Sequence, residues 1–124
     1  GRINDVVHTL GANGINMHAF SMAETADFGI LRLIVSDVDK AVEVLREKNF
    51  AVMSTDVVCL SCANVPGSLA VVLEYLAEEQ IFIEYMYAFA QADQAHVVIK
   101  PNDMSQCLKV LEAHHCHVLA KEEL

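Results

Sequence analysis

Two hydrophobic periods run along the chain. Stretches with apolar residues three and four apart predict helices lying on a core, and short apolar or alternating stretches predict strands. The clearest junction spans Val57 to Leu76. Val57 to Cys62 is a short, mostly apolar run closed by a turn signal, as expected of a strand covered on both faces. Asn64, Pro66 and Gly67 supply the turn. Pro66 fixes its own φ and donates no N–H, which suits a helix start, and Gly67 admits close approach of a backbone or a ligand. Leu69, Val72, Leu73 and Leu76 then follow at i, i+3, i+4 and i+7, the stripe of a helix lying on a sheet.

The same pattern occurs twice. Gly1 matches Gly67, an offset of 67 − 1 = 66, and at that offset, without a gap, Val6 matches Val72, Leu10 matches Leu76 and Ile15 matches Ile81. Ala26-Asp27 matches Ala92-Asp93, Asp37 matches Asp103, Val44-Leu45 matches Val110-Leu111, and Val52 matches Val118. In the first copy Ile3, Val6, Val7 and Leu10 form a helix stripe ended by Gly11 and Gly14. Ile15 to Ala23 and Ile30 to Val35 read as strands joined by a turn at Ala26-Asp27. Ser36 or Asp37 caps a helix with Val38, Ala41, Val42 and Leu45 inward, Asn49 ends it, and Phe50 to Met53 reads as a third strand. In the second copy the strands are Val57–Cys62, Ile81–Ala90, His96–Lys100 and His117–Ala120, with helices over Leu69–Glu79 and along Met104, Cys107, Leu108 and Leu111.

The order β-α-β-β-α-β predicts an α+β chain of two ferredoxin-like repeats, residues 1–55 and 56–124, each an antiparallel sheet with helices on one face. The first copy starts at the equivalent of the residue after Pro66 and so lacks its opening strand. That strand is central in this topology, so about ten further residues are expected before Gly1 in the natural protein. Between Ala51 and Cys62 the main polar break is Thr55-Asp56, which predicts a tight join without a loop. Ile81, Ile83, Tyr85, Tyr87 and Phe89 alternate with Phe82, Met86 and Ala88, so the hairpin is apolar on both faces and something is expected to cover the second face or the edge, the other copy or another chain.

Composition narrows the partners. A formal charge of −9 over 124 residues argues against nucleic acid and anionic membrane surfaces. No apolar run approaches the ~20 residues of a membrane span, and no signal-peptide pattern is visible. Four cysteines without secretory features read as reduced thiols, which places the protein in the cytoplasm.

Three features invite chemical readings. Cys59-Leu60-Ser61-Cys62 has the spacing that heavy-metal chaperones of βαββαβ fold carry in a loop; here it lies on a strand, where i and i+3 point to opposite faces and cannot hold one ion. His114-His115-Cys116-His117 is dense in ligand types, but adjacent residues rarely converge on one ion, and histidines suit a helix C-terminus. Asp27/Asp93 suit turns and Asp37/Asp103 helix caps. His8, His18 and His96 are isolated, no nucleophile–base pair stands out, and no phosphate-binding glycine loop is present. These readings predict no catalytic residues, no cofactor and no physiological metal site.

An apolar strand, then Asn64-Val65-Pro66-Gly67-Ser68-Leu69, an amphipathic helix, and Gly14-Ile15-Asn16-Met17 at the matching point of the first copy resemble the ACT domain, whose pattern is an Asp/Asn-x-Pro-Gly-x-Leu turn followed a helix later by Gly-Ile-Asn-Ile. The resemblance covers nearly the whole chain, twice, and is closest to small stand-alone tandem ACT proteins. It implies a non-enzymatic regulatory or sensing module that binds a small molecule, usually an amino acid, where two ACT domains pair side by side, and hence a homo-oligomer such as a dimer. It also implies that the ligand sits between the turn Asn64, Val65, Pro66, Gly67, Ser68 and Leu69 and the segment Gly14, Ile15, Asn16, Met17 and His18. A helix N-terminus suits an α-carboxylate, and Asn16 offers an amide. In the second copy Gln80 and Phe82 replace the pattern's Gly and Asn, which predicts a weak or dead reciprocal site. A structural or oligomerisation module with a vestigial pocket and a metal-binding βαββαβ module are the alternatives.

Overall fold

The apolar stripes form four helices, α1 (Arg2–Ala12), α2 (Val38–Glu47), α3 (Ser68–Glu78) and α4 (Met104–Ala113), in the computed structural model, which describes residues 2–24, 29–63, 65–91 and 93–119. The strands are β1 (Met17–Glu24), β2 (Gly29–Val35), β3 (Val58–Ala63), β4 (Ile83–Gln91), β5 (Gln94–Pro101) and β6 (His117–Val118). The chain divides into units Gly1–Thr55 and Asp56–Leu124. Ala26, Asp27, Asn64, Ala92 and Ala120, singled out in the sequence, lie outside the described residues.

The second unit runs β3-α3-β4-β5-α4-β6, with sheet order β4-β5-β3-β6 and every pairing antiparallel. The opening strand β3 is central, as expected of a ferredoxin-like repeat. Val58, Leu60 and Cys62 alternate along it into a core with Val97 and Ile99 of β5, Val72 and Leu76 of α3, and Cys107, Val110 and Leu111 of α4. Cys59, His96 and Val98 are buried on the opposite face of the sheet. The first unit runs α1-β1-β2-α2, a hairpin whose core is Val6, Leu10, Ile15, Ala41 and Leu45.

Phe50 to Met53 is not a strand, and residues 51–57 have no regular structure, so the two copies are not joined without a loop. In the second unit the last strand pairs with the opening strand; the described first unit has no counterpart of β3, so Phe50 to Met53 has no ladder to join. Phe50 and Val52 still pack on the core, the Arg2 guanidinium lies 4.3 Å from the centre of the Phe50 ring, and Arg46 donates to the Val52 carbonyl at 3.1 Å. Gly11 lies within α1 and does not end it. Ile3, Val7, Val38 and Leu108 are exposed, while Val110 is buried in the α4 stripe.

The strict alternation expected along β4 also fails. Ile83 pairs with Pro101 but Tyr85 with Lys100, so Glu84 is an extra residue in the ladder. This bulge switches the phase and sends both Ile83 and Met86 into the helix-covered core. The first unit has the same irregularity at His18, between the pairs Met17–Val35 and Ala19–Ile34.

All four helices end alike. Each has a residue with positive φ just past its C-cap: Gly14 (70°), Asn49 (67°), Gln80 (58°) and His115 (56°). The next N–H reaches back to a leucine carbonyl: Ile15 to Leu10, Phe50 to Leu45, Ile81 to Leu76 and Cys116 to Leu111, at 2.9–3.1 Å. These are Schellman motifs, with the accompanying apolar contact inside each core. Gln80 and His115 adopt a conformation that is costly for a side chain with a Cβ. Gln80→Gly is therefore expected to raise stability by about 1 kcal/mol in chemical denaturation; a loss would show that the Gln80 side chain contributes more than its backbone costs.

Candidate functional site

The turn before α3 is built by its backbone. The Val65 N–H donates to Ala63 O at 2.9 Å and the Ser68 N–H to Val65 O at 3.3 Å. Gly67 is the N-cap of α3, with φ +87°, a left-handed conformation that favours glycine. A Cβ at Gly67 would meet nothing within 4 Å, so its backbone angle, not crowding, demands glycine. Val65, Pro66 and Gly67 are exposed, Ser68 is half-buried, and Leu69 anchors the turn by packing on the core.

The N-cap of α3 is Gly67, and no side chain among the described residues caps the helix. α2 and α4 are each capped by the side chain of an aspartate, Asp37 accepting from the Lys40 N–H at 3.1 Å and Asp103 from the Gln106 N–H at 3.0 Å. At α3 the first helical bond runs from the Val71 N–H to Gly67 O, and the N–H groups of Leu69 and Ala70 have no partner among the described residues. These amides sit at the positive end of the helix dipole, facing the turn, in a geometry that receives carboxylates and other anions.

Gly14 to His18 is the helix-to-strand segment of the first unit. Gly14 has φ +70°, and Ile15 is buried against Leu10. The Asn16 backbone is held twice by Ser36: its N–H donates to Ser36 Oγ at 3.0 Å, and its carbonyl accepts from the Ser36 N–H at 2.9 Å. The exposed Asn16 side chain makes no hydrogen bond among the described residues. Met17 packs on the core, and His18 occupies the bulge of β1, half-buried. The second unit repeats the clamp with Asn102 in the role of Ser36, pairing both ways with the Phe82 backbone at 2.9 Å. Phe82 stands where Asn16 stands in the first copy, and it is 68 % exposed.

Local sequence gives little sign of the bulges. Their trace there is a break in apolar phase between Ile83 and Met86, legible only once the core face is known. The other candidate residues are used structurally. His114 stacks on Tyr75 with ring centres 3.7 Å apart, His115 supplies the positive φ that ends α4, and Cys116 is the apolar contact that follows. Cys62 points into the helix-covered core and Cys59 away from it. His96 is buried edge-on to Phe89, and its Nδ1 has no hydrogen-bond partner among the described residues. A depression of ≈ 210 Å³ lined by Glu79, Gln106, Lys109, Val110, Ala113 and His114 lies at the C-terminal end of α3, away from the turn. No group of three or more His, Cys, Asp or Glu side chains is arranged to hold a metal among the described residues. No helix there is long and apolar enough to cross a membrane.

The profile of the ACT domain pair matches residues 1–124. The chain belongs to the ACT domain pair family. Among solved structures, protein BT0572 from Bacteroides thetaiotaomicron is 50% identical, with a TM-score of 0.95 over 99% of this chain and 85% of that one. The aspartokinase alpha and beta subunits superpose with a TM-score of 0.63 at 20% identity, over 91% of this chain and 82% of theirs, a likeness of fold. No curated protein matches the chain. The two copies are thus ACT repeats.

Proposed function

We propose that this ACT pair is a cytoplasmic, non-enzymatic regulatory module that binds an amino acid at an interface between ACT repeats and works as a homo-oligomer. The observation that carries the reading is the start of α3, where an exposed left-handed glycine precedes two helix amides with no partner among the described residues, while aspartates cap the N-terminal ends of α2 and α4. Those amides suit the α-carboxylate of an amino acid, and the exposed Asn16 amide suits its polar groups. The ligand bridges the turn Asn64, Val65, Pro66, Gly67, Ser68 and Leu69 and the segment Gly14, Ile15, Asn16, Met17 and His18. Binding then favours the paired arrangement of repeats over the open one, in proportion to the difference in affinity for the two.

A thermal-shift screen of the twenty amino acids at millimolar concentration tests this. A rise in Tm with one or a few of them is expected. The exposed Phe82 in place of an amide favours a second reading, a structural module whose pocket is vestigial. No shift with any amino acid or metal would favour that second reading, and a shift with zinc or copper alone would overturn amino-acid binding and favour metal binding.

A further inference from the structure

We propose that Cys62 and Cys116 form a reversible cross-strand disulfide that pins the last strand, β6, to the central strand, β3. The β3–β6 ladder carries the geometry. Leu60 pairs with Val118 and Ser61 with His117. The Leu119 N–H donates to Cys59 O at 2.7 Å, which makes Cys59–Leu119 a hydrogen-bonded pair. Hydrogen-bonded and non-hydrogen-bonded pairs alternate in an antiparallel ladder. One step beyond Ser61–His117, Cys116 therefore stands opposite Cys62 at a non-hydrogen-bonded position. Cα atoms at such positions lie about 4.5 Å apart, within the roughly 4.4–6.8 Å that a disulfide spans.

The side chains agree with the ladder. Cys62 and Cys116 pack in the same core, beneath α3 and α4, and both are free thiols. Burial raises both thiols above the ordinary value, and the charge of a Cys116 thiolate raises Cys62 further, so Cys62 lies in the field of Cys116. Cys59 faces the other side of the sheet, and Cys107 is fully buried on α4. Cys116 is the only half-buried cysteine of the four and hence the one an oxidant reaches first.

The oxidant is a low-molecular-weight disulfide such as oxidised glutathione. The Cys116 thiolate attacks one of its sulfurs, forms a mixed disulfide and releases one thiolate. Cys62 loses its proton and attacks Cys116 Sγ, releasing the second thiolate. Two protein thiols are oxidised, one small disulfide is reduced to two thiols, and the two protons pass to the leaving groups. Excess thiol reverses both steps. The bond would hold a two-residue edge strand in place and stiffen the end of β3, two residues before the Asn64–Leu69 turn.

The test is incubation of the unmutated, folded chain with oxidised glutathione, followed by intact mass measurement and fragmentation mapping. The expected product has lost ~2 Da, has two free thiols in place of four, carries a Cys62–Cys116 link and reverts with dithiothreitol. Because thiolates attack and both thiols are raised, its formation should accelerate as pH rises from 7 towards 9. The oxidised form should melt more than about 5 °C higher. Cys62→Ser and Cys116→Ser should each abolish the product, and Cys59→Ala should leave it. Four persisting thiols, a reaction halted at the glutathione adduct, or a link between another pair would each overturn the proposal; the mapping on the unmutated chain decides this whether or not the variants fold.

Discussion

Gly67→Val is expected to eliminate the rise in Tm that an amino acid produces. Gly67 holds φ +87°, where a β-branched residue does not settle, although space for the side chain is open. Valine would move the turn to another backbone region and turn the Leu69 and Ala70 amides away from a common point. A ligand at a hundred times its Kd stabilises a single-site protein by about 2.7 kcal/mol, so losing it is readily measured. The variant also carries the left-handed penalty of about 1–2 kcal/mol without ligand. The two effects separate when each protein is melted with and without the amino acid and the increments are compared. Asn64→Ala, which leaves Gly67 in place, should reduce the increment with little change in the unliganded melt. An undiminished increment in Gly67→Val would show that the ligand binds elsewhere.

Leu111→Ala is expected to cost the second repeat about 3–5 kcal/mol. Leu111 is fully buried in its core, and its carbonyl accepts from the Cys116 N–H in the motif that turns α4 into β6. Truncation removes the apolar contact with Cys116 and leaves a cavity that a rigid sheet and two helices do not readily fill. A small domain has about 5–15 kcal/mol in total, so the loss consumes a large part of it. Leu108→Ala, three residues earlier on the exposed side of the same helix, should cost well under half as much. Urea denaturation of both variants provides the comparison; equal costs would contradict the burial of Leu111.

Much of this was legible in the chain. Asp37 and Asp103 read as N-caps and accept the expected bonds. Asn49 reads as a helix end and takes a positive φ. The ferredoxin-like order and the central place of the opening strand follow from one duplicated pattern. Gly67 reads in the sequence as room for a close approach, whereas in the fold its positive φ, not crowding, calls for glycine. These features depend on residues within a few positions of each other, or on the period of a single element.

The departures along the strands share one cause. Phe50 to Met53 has the composition of a strand, as does Val118 at the matching offset, yet among the described residues only the second copy shows a strand for it to pair with. Ile83 and Met86 contradict strict alternation because the ladder inserts Glu84, and which face a strand residue takes depends on its partner as much as on its own period. Cys62 and Cys116 are 54 positions apart (116 − 62), and no local pattern links them. The sequence by itself determined the two ACT repeats, their helices and caps, and the glycine turn ahead of α3. Tertiary structure alone decided where a strand exists, where the ladders bulge and which thiols face each other, because strand pairing satisfies backbone groups on segments far apart in the chain and no single segment encodes its partner.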